Sequence, residues 1–178
     1  MINKIVMGHI GNLANDARVY REAKYLTDIG FKVVIITANP FRKNDPIEWD
    51  KIDIIDLDIK KGSFGKLFYL KVYRKIFKKA IWEKANIYWA HDLDTLLPMY
   101  YAAYWNNAKI IYDSHEIFAD QVMLKEKKIS RAIWMFLEKK LIKKCHRVVT
   151  VNNSCAQYLS EQYNIEIPFV VRNFPEFY

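Results

Sequence analysis

Continuous apolar runs and helix-period segments alternate along the chain from end to end. KIVMGHI and, further on, KVVIITA are uninterrupted and β-branched, the pattern of strands buried on both faces. Between them ARVYREAKYLTDIG carries Val19, Ala23 and Leu26 at helical spacing and stops at Gly30, a residue suited to a helix C-terminus. A polar loop with Pro40 and Pro46 follows. The alternation in IDIIDLDI then predicts a half-buried strand near a sheet edge, its aspartates keeping that edge soluble. From about Lys66 to Lys84 the spacing predicts a helix with Tyr69, Leu70, Tyr73, Ile76, Phe77, Ala80 and Ile81 on one face. Lys71, Arg74, Lys75 and Lys78 fall on the other.

The alternation continues to the C-terminus. NIYWAHD reads as a short strand and DTLLPMYYAAYW as a helix capped by Asp92 or Asp94, with Pro98 in its first turn. AKIIYDSHE is another strand, and SRAIWMFLEKKLIKKC a basic amphipathic helix opening at Ser130. RVVTVNNS is a strand whose Asn153 or Ser154 caps a helix running to Tyr163, and PFVVRN is the last strand. There is no repeat, low-complexity tract or linker, and 178 residues suit one domain.

Buried strands alternating with helices predict an α/β doubly wound parallel sheet, Rossmann-like and covered on both faces. Such sheets bind ligands beyond the carboxyl ends of their strands, where strand order reverses. That rule selects His9, Gly11 and Asn12 after the first strand, and His91 and Asp92 after the fourth. It adds Ser114, His115 and Glu116 after the fifth, and Asn152 and Asn153 after the sixth. The run Asp113-Ser114-His115 is no triad, because successive side chains of an extended segment point to opposite faces. Asp113 and His115 share a face, but no third ligand stands at helical or hairpin spacing, so no metal site is expected.

Composition narrows the picture. With 52% hydrophobic residues the chain can build a real core, and no stretch approaches the length of a membrane span. Cys145 and Cys155 have neither Cys-x-x-Cys nor zinc-ligand spacing and read as reduced thiols of a cytoplasmic protein. The net charge of +8 is concentrated. Lys60 to Lys84 holds nine basic residues and one acid, and Lys125 to Arg147 nine and two, leaving ten basic against seventeen acidic elsewhere. Two basic surfaces on an acidic body suit an anionic membrane or a phosphorylated ligand, or else are ordinary solvated helix faces. Nucleic acid fits less well, since the aromatic residues of Lys60 to Lys84 lie on the core stripe where they cannot stack on bases.

The first loop, Gly8-x-x-Gly11-x-x-Ala14, misses the spacing of a dinucleotide fold, and no acid follows the second strand to hold a ribose. No phosphate-loop lysine or nucleophile elbow is present. Instead NDARVYREAKYLTDIGFKVVIIT, with Asp16, Arg18, Glu22, Ala23, Leu26 and Gly30 in order, resembles the opening of the group 1 (family 4) glycosyltransferases. IYWAHDLDTLLPMYYAAYWNNAKIIYDSHEIFAD is similar to that family's paired segments, a His-Asp after one strand and a Tyr-Asp-x-His-Glu after the next. LEKKLIKKCHRVVTVNNSCAQYL and VVRNFPE resemble the stretch that leads to its interdomain crossover.

The resemblance implies the acceptor-side half, residues 1–178, of a two-domain GT-B enzyme whose donor-binding domain lies outside this chain, so that the chain alone would be inactive. It implies a retaining transfer from a nucleotide sugar to a glycan or lipid-linked acceptor, with no metal and no cofactor beyond the donor. His115 would stand at the reacting centre, its tautomer fixed by Asp113 or nearby backbone. Gly11, Asn12, Asp16, Arg18, His91, Asp92, Ser114, Glu116 and Asn152 would line the cleft, although an ion pair anchoring the first helix explains Asp16 and Arg18 equally. Lys71, Arg74, Lys75 and Lys78 would face an anionic membrane on its inner side. A non-catalytic module holding a glycan, a lipid headgroup or a partner protein is the alternative.

Overall fold

The buried apolar runs form the central strands of one sheet. The computed structural model describes residues 3–38, 49, 51–59, 66–117 and 128–173. Its strands are β1 (Lys4–Ile10), β2 (Lys32–Ala38), β3 (Asp53–Asp56), β4 (Ile87–His91), β5 (Lys109–Ser114), β6 (Arg147–Thr150) and β7 (Phe169–Val170). They lie in the order β3-β2-β1-β4-β5-β6-β7, every pairing parallel, with strand order reversing between β1 and β4. The predicted doubly wound sheet is therefore present, and the strand with alternating polarity, β3, takes an edge as its pattern implied.

The helices of the described residues are α1 (Ala17–Asp28), α2 (Lys66–Glu83), α3 (Leu93–Trp105), α4 (Lys128–Leu141) and α5 (Asn153–Tyr163). Helix α1 covers one face through Val19 and Ala23, which pack on Ile5, Met7, Val33 and Ile35. The other four pack on the opposite face, where Val72, Ile76, Leu96, Met99 and Leu159 meet Val6, Val34, Tyr88 and Tyr112. Gly8 sets the approach of α3 to β1, since a Cβ there would stand 2.8 Å from Met99 Cγ. Helix α1 ends in a Schellman turn, Gly30 at φ +95°, with Gly30 N–H donating to Thr27 O and Phe31 N–H to Leu26 O.

Several element ends differ from the sequence expectation. Helix α4 is already formed at Lys128, the first described residue of its segment and two residues before Ser130. The cap of α5 is Asn152, whose side chain accepts from Cys155 N–H at 2.8 Å, and neither Asn153 nor Ser154 fills that place. Pro98 is the sixth residue of α3, in its second turn. Leu70, assigned above to the core face of α2, is exposed, while Phe68 and Val72 are buried in its place. A helix axis rotated by a fraction of a turn exchanges such neighbours, and the aromatic spacing alone did not fix that rotation. The proline loop after β2 and residues 60–65, 118–127 and 174–178 lie outside the described residues.

Candidate active site

Strand register assembles the site. On β1, β4 and β5, side chains two residues apart share a face. Trp89 pairs with Ile111 and His91 with Asp113 in the parallel ladder, while His9 is the last residue but one of the neighbouring β1. His9, His91 and Asp113 thus emerge on the α1 side at the strand ends, and His115 continues the parity of β5. Helix α1 meets them with Arg18 and Glu22, one turn apart.

Asp113, fully buried, is the hub. Arg18 grips it from both prongs, Nη2 donating to Oδ1 at 2.8 Å and Nε to Oδ2 at 3.1 Å, and donates from Nη1 to Val171 O. His91 Nδ1 stands 3.6 Å and His115 Nε2 3.5 Å from Asp113 Oδ2, and the two ring nitrogens are 3.2 Å apart. Burial opposes the charge of Asp113, but His115 and His91, beside the Arg18 grip, hold its carboxyl well below the usual range.

Burial disfavours a charged His115 too, yet Asp113, then Asp92 and Asp16, outweigh it and raise the ring to about 9. His115 is therefore an imidazolium at neutral pH. Its Nε2 faces Asp113 Oδ2 and His91 Nδ1, and burial keeps His91 neutral by lowering it to about 4. His91 Nε2 is buried with no hydrogen-bond partner among the described residues. Glu22 Oε1 lies 3.1 Å from Arg18 Nη2, but neither of its oxygens has a well-directed hydrogen bond. Burial, then repulsion from Asp113, pushes Glu22 up to about 8.

The open side of the network is lined by two carboxylates. Asp16 caps α1 by accepting from Val19 N–H at 3.1 Å, and its Oδ2 lies 3.2 Å from His9 Nε2 and 4.0 Å from His115 Nδ1. Burial opposes its charge, but hydrogen bonds from His9 and the Val19 N–H hold it well below the ordinary range. Asp92 accepts from His115 N–H at 3.0 Å, with its other oxygen 3.5 Å from His115 Nδ1. Burial raises its pKa. Asp92 occupies the cap position of α3 without capping it, because its side chain turns to the β5 loop instead. Its backbone sits at φ +62°, strain of about 1–3 kcal/mol that the surrounding hydrogen bonds must hold. The side chains of His115 and Asp92 remain 17% and 28% exposed at the opening.

The remaining expected residues divide. Gly11, at φ +146°, leaves room for the His9 ring, which would lie 3.3 Å from a Cβ there. Asn12 caps the one-turn 3₁₀ helix Leu13–Asn15 by accepting from Ala14 N–H. Ser114 is buried and donates to Glu116 O at 2.8 Å, so it shapes the turn after β5 and does not face the opening; Glu116 is exposed. Asn152 is committed to its cap. Arg18 is a buried clamp, so its role is to hold Asp113 in place.

Sequence spacing missed His91 as a third member beside Asp113 and His115, because a parallel neighbour strand brings it in from far along the chain. Their ligand atoms lie within 4.8 Å of one another, close enough to share a cation. The Arg18 guanidinium already takes both Asp113 oxygens, and His115 carries a proton on the nitrogen facing them.

The seven-stranded parallel sheet flanked by helices matches one Rossmann-like half of a GT-B fold. The family model for Glycosyltransferase Family 4 matches residues 17–173, and the chain belongs to that family. Among curated proteins none matches the sequence. Of the solved structures, TcCGT1 in complex with UDP is similar at 9% identity and a TM-score of 0.68, over 98% of this chain and 51% of that one. A sucrose-phosphate synthase from Thermosynechococcus elongatus gives 14% and 0.67, over 93% and 45%. A UDP-GlcNAc 2-epimerase from Methanocaldococcus jannaschii gives 17% and 0.61, over 94% and 45%. The chain thus spans about half the length of these structures. At such identities the likeness establishes the fold, shared by a synthase and an epimerase, and the family match identifies a glycosyltransferase domain.

Proposed function

We propose that this chain is the acceptor-side domain of a retaining glycosyltransferase, working with a donor-binding domain to move a sugar from a nucleoside diphosphate to a glycan or lipid-linked hydroxyl. The observation that carries the reading is His115, set within 3.5–4.0 Å of Asp113, Asp92 and Asp16 at the open carboxyl end of the sheet, where those acids raise its pKa. An imidazolium cannot serve as the base. It can donate a hydrogen bond to the transferred sugar and stabilise negative charge as the diphosphate leaves. Asp92, with its raised pKa, is the better proton acceptor and would orient the acceptor hydroxyl. UDP in TcCGT1 supports a nucleotide-sugar donor for this chain.

We assign the reaction no resident metal, since Arg18 already occupies the one carboxylate that the two histidines share. Transfer by the two-domain protein should therefore survive EDTA unchanged; loss restored by a divalent cation would overturn that assignment. The test of the whole reading is proton NMR of the product formed from a sugar nucleotide and an acceptor. Glycoside with the donor's anomeric configuration supports it. Inverted glycoside contradicts retention, epimerised donor without glycoside points to the epimerase chemistry of the same fold, and binding without turnover points to a non-catalytic module.

A further inference from the structure

Helices α2, α3 and α4 stand side by side over one face of the sheet. Asn106 Nδ2, just past α3, donates to Ile81 O of α2 at 3.1 Å, and Tyr69 of α2 meets Trp134 of α4 edge-on with ring centroids 5.4 Å apart. Lys144, beyond α4, stands 5.3 Å over the Tyr100 ring of α3. The outer surface of this layer is unusual in what it exposes. Trp82, Tyr104, Trp105, Ile133 and Phe136 are between 56% and 80% exposed. Ile129, Ile133, Phe136 and Lys140 form one stripe of α4, and by helical projection Ile129 points about 180° away from Glu138. Glu138 is the residue that accepts from Tyr163 of α5 at 2.6 Å, so the stripe is turned away from that neighbour.

Charge on this surface has one sign. Lys71, Arg74, Lys78, Lys139, Lys140 and Lys143 are exposed, while the acids of the three helices are withdrawn. Glu138 is buried, Asp94 is half-buried, and Glu83 is half-buried and paired with Lys4. Lys140 Nζ stands 5.6 Å over the Phe136 ring, its stem along the apolar stripe.

We infer that the outer face of α2, α3 and α4 docks on an anionic lipid surface, with Trp82, Tyr104, Trp105, Ile133 and Phe136 entering the interface among the headgroups that the lysines attract. Tryptophan and tyrosine favour that boundary, and cations beside them add about fivefold in partitioning for each group near the surface. A second copy of the chain is disfavoured by the same charges, which would oppose one another across a shared face. The basic stripe foreseen on α2 belongs to this surface without Lys75, which is half-buried and donates to Leu57 O at 2.7 Å. The three helices precede strands of a parallel sheet, so their N-terminal ends lie at the edge that carries the active site. Trp82, Tyr104 and Trp105 stand at the opposite, C-terminal ends of α2 and α3, away from that edge.

Co-sedimentation of the 178-residue chain with phosphatidylglycerol-containing vesicles tests this without any sugar nucleotide, so its outcome is independent of the transfer reading. Binding should be at least about tenfold weaker to pure phosphatidylcholine, weaken with salt, and fall about tenfold in Y104S/W105S, in I133S/F136S and in K139Q/K140Q/K143Q. The substitutions are at exposed positions, and unchanged melting temperatures would confirm the fold. Equal binding by the apolar variants, equal binding to neutral vesicles, tight binding to an oligonucleotide with none to vesicles, or a dimer dissolved by I133S/F136S would each overturn the inference.

Discussion

His115 carries more of the chemistry than its place in a polar run suggests, because three carboxylates keep it charged where burial alone would neutralise it. Its ring NMR shift should stay that of an imidazolium through pH 8 and move near 9, while His91 stays neutral down to about 4. The signs for stability follow. His115, raised from 6.5, contributes stability that is complete below 6.5 and lost as pH rises through 9. Glu22, raised from 4.5 to about 8, is favoured protonated in the fold, so its ionisation costs stability between those values. Urea midpoints should thus decline from neutral pH toward 9, with H115Q removing the share of His115 and leaving that of Glu22, which ends near 8; a midpoint rising over that window would contradict the assignment. Arg18 has a different task. Arg18→Ala should lower unfolding free energy by about 3–5 kcal/mol, because Asp113 is left buried without its clamp. A change within the range of ordinary surface substitutions would show that the clamp is dispensable.

At the scale of elements, Gly8 is the tightest fit between strand and helix. Gly8→Ala should cost about 1–3 kcal/mol by forcing Met99 and α3 away from β1, measurable by denaturant unfolding. The strands, the edge position of β3 and all five described helices were legible in the sequence, since each rests on a local period of two or of about 3.6. What was not legible depends on partners distant in sequence. Asp92 reads as a helix cap from its neighbours, yet His115 draws its carboxylate away, and Asn152 reads as a cleft group while serving as the cap of α5. His115 and His91 could be selected from strand ends alone. Their meeting with Arg18 and Glu22 could not, although equal parity on three adjacent strands, set against an i,i+4 pair on α1, is the signal that would have found it.

For the molecule as a whole, the chain spans about half the length of the solved structures it matches, and its site opens at the carboxyl edge of the sheet. The described residues contain no helix long and apolar enough to cross a membrane. On this account the domain supplies the acceptor side and the charged imidazole, and a donor-binding domain supplies the sugar nucleotide, so the chain by itself should not turn over. The most direct measurement is kcat/KM for glycoside formation by the two-domain protein, with and without His115→Ala, beside the melting temperature of each. The account predicts a loss of 10-fold or more per folded molecule, about 1.4 kcal/mol of transition-state stabilisation, beside the fall in melting temperature that losing the charged ring entails. Activity intact per folded molecule, with a large fall in melting temperature, would contradict it and leave His115 as a strut between two loops.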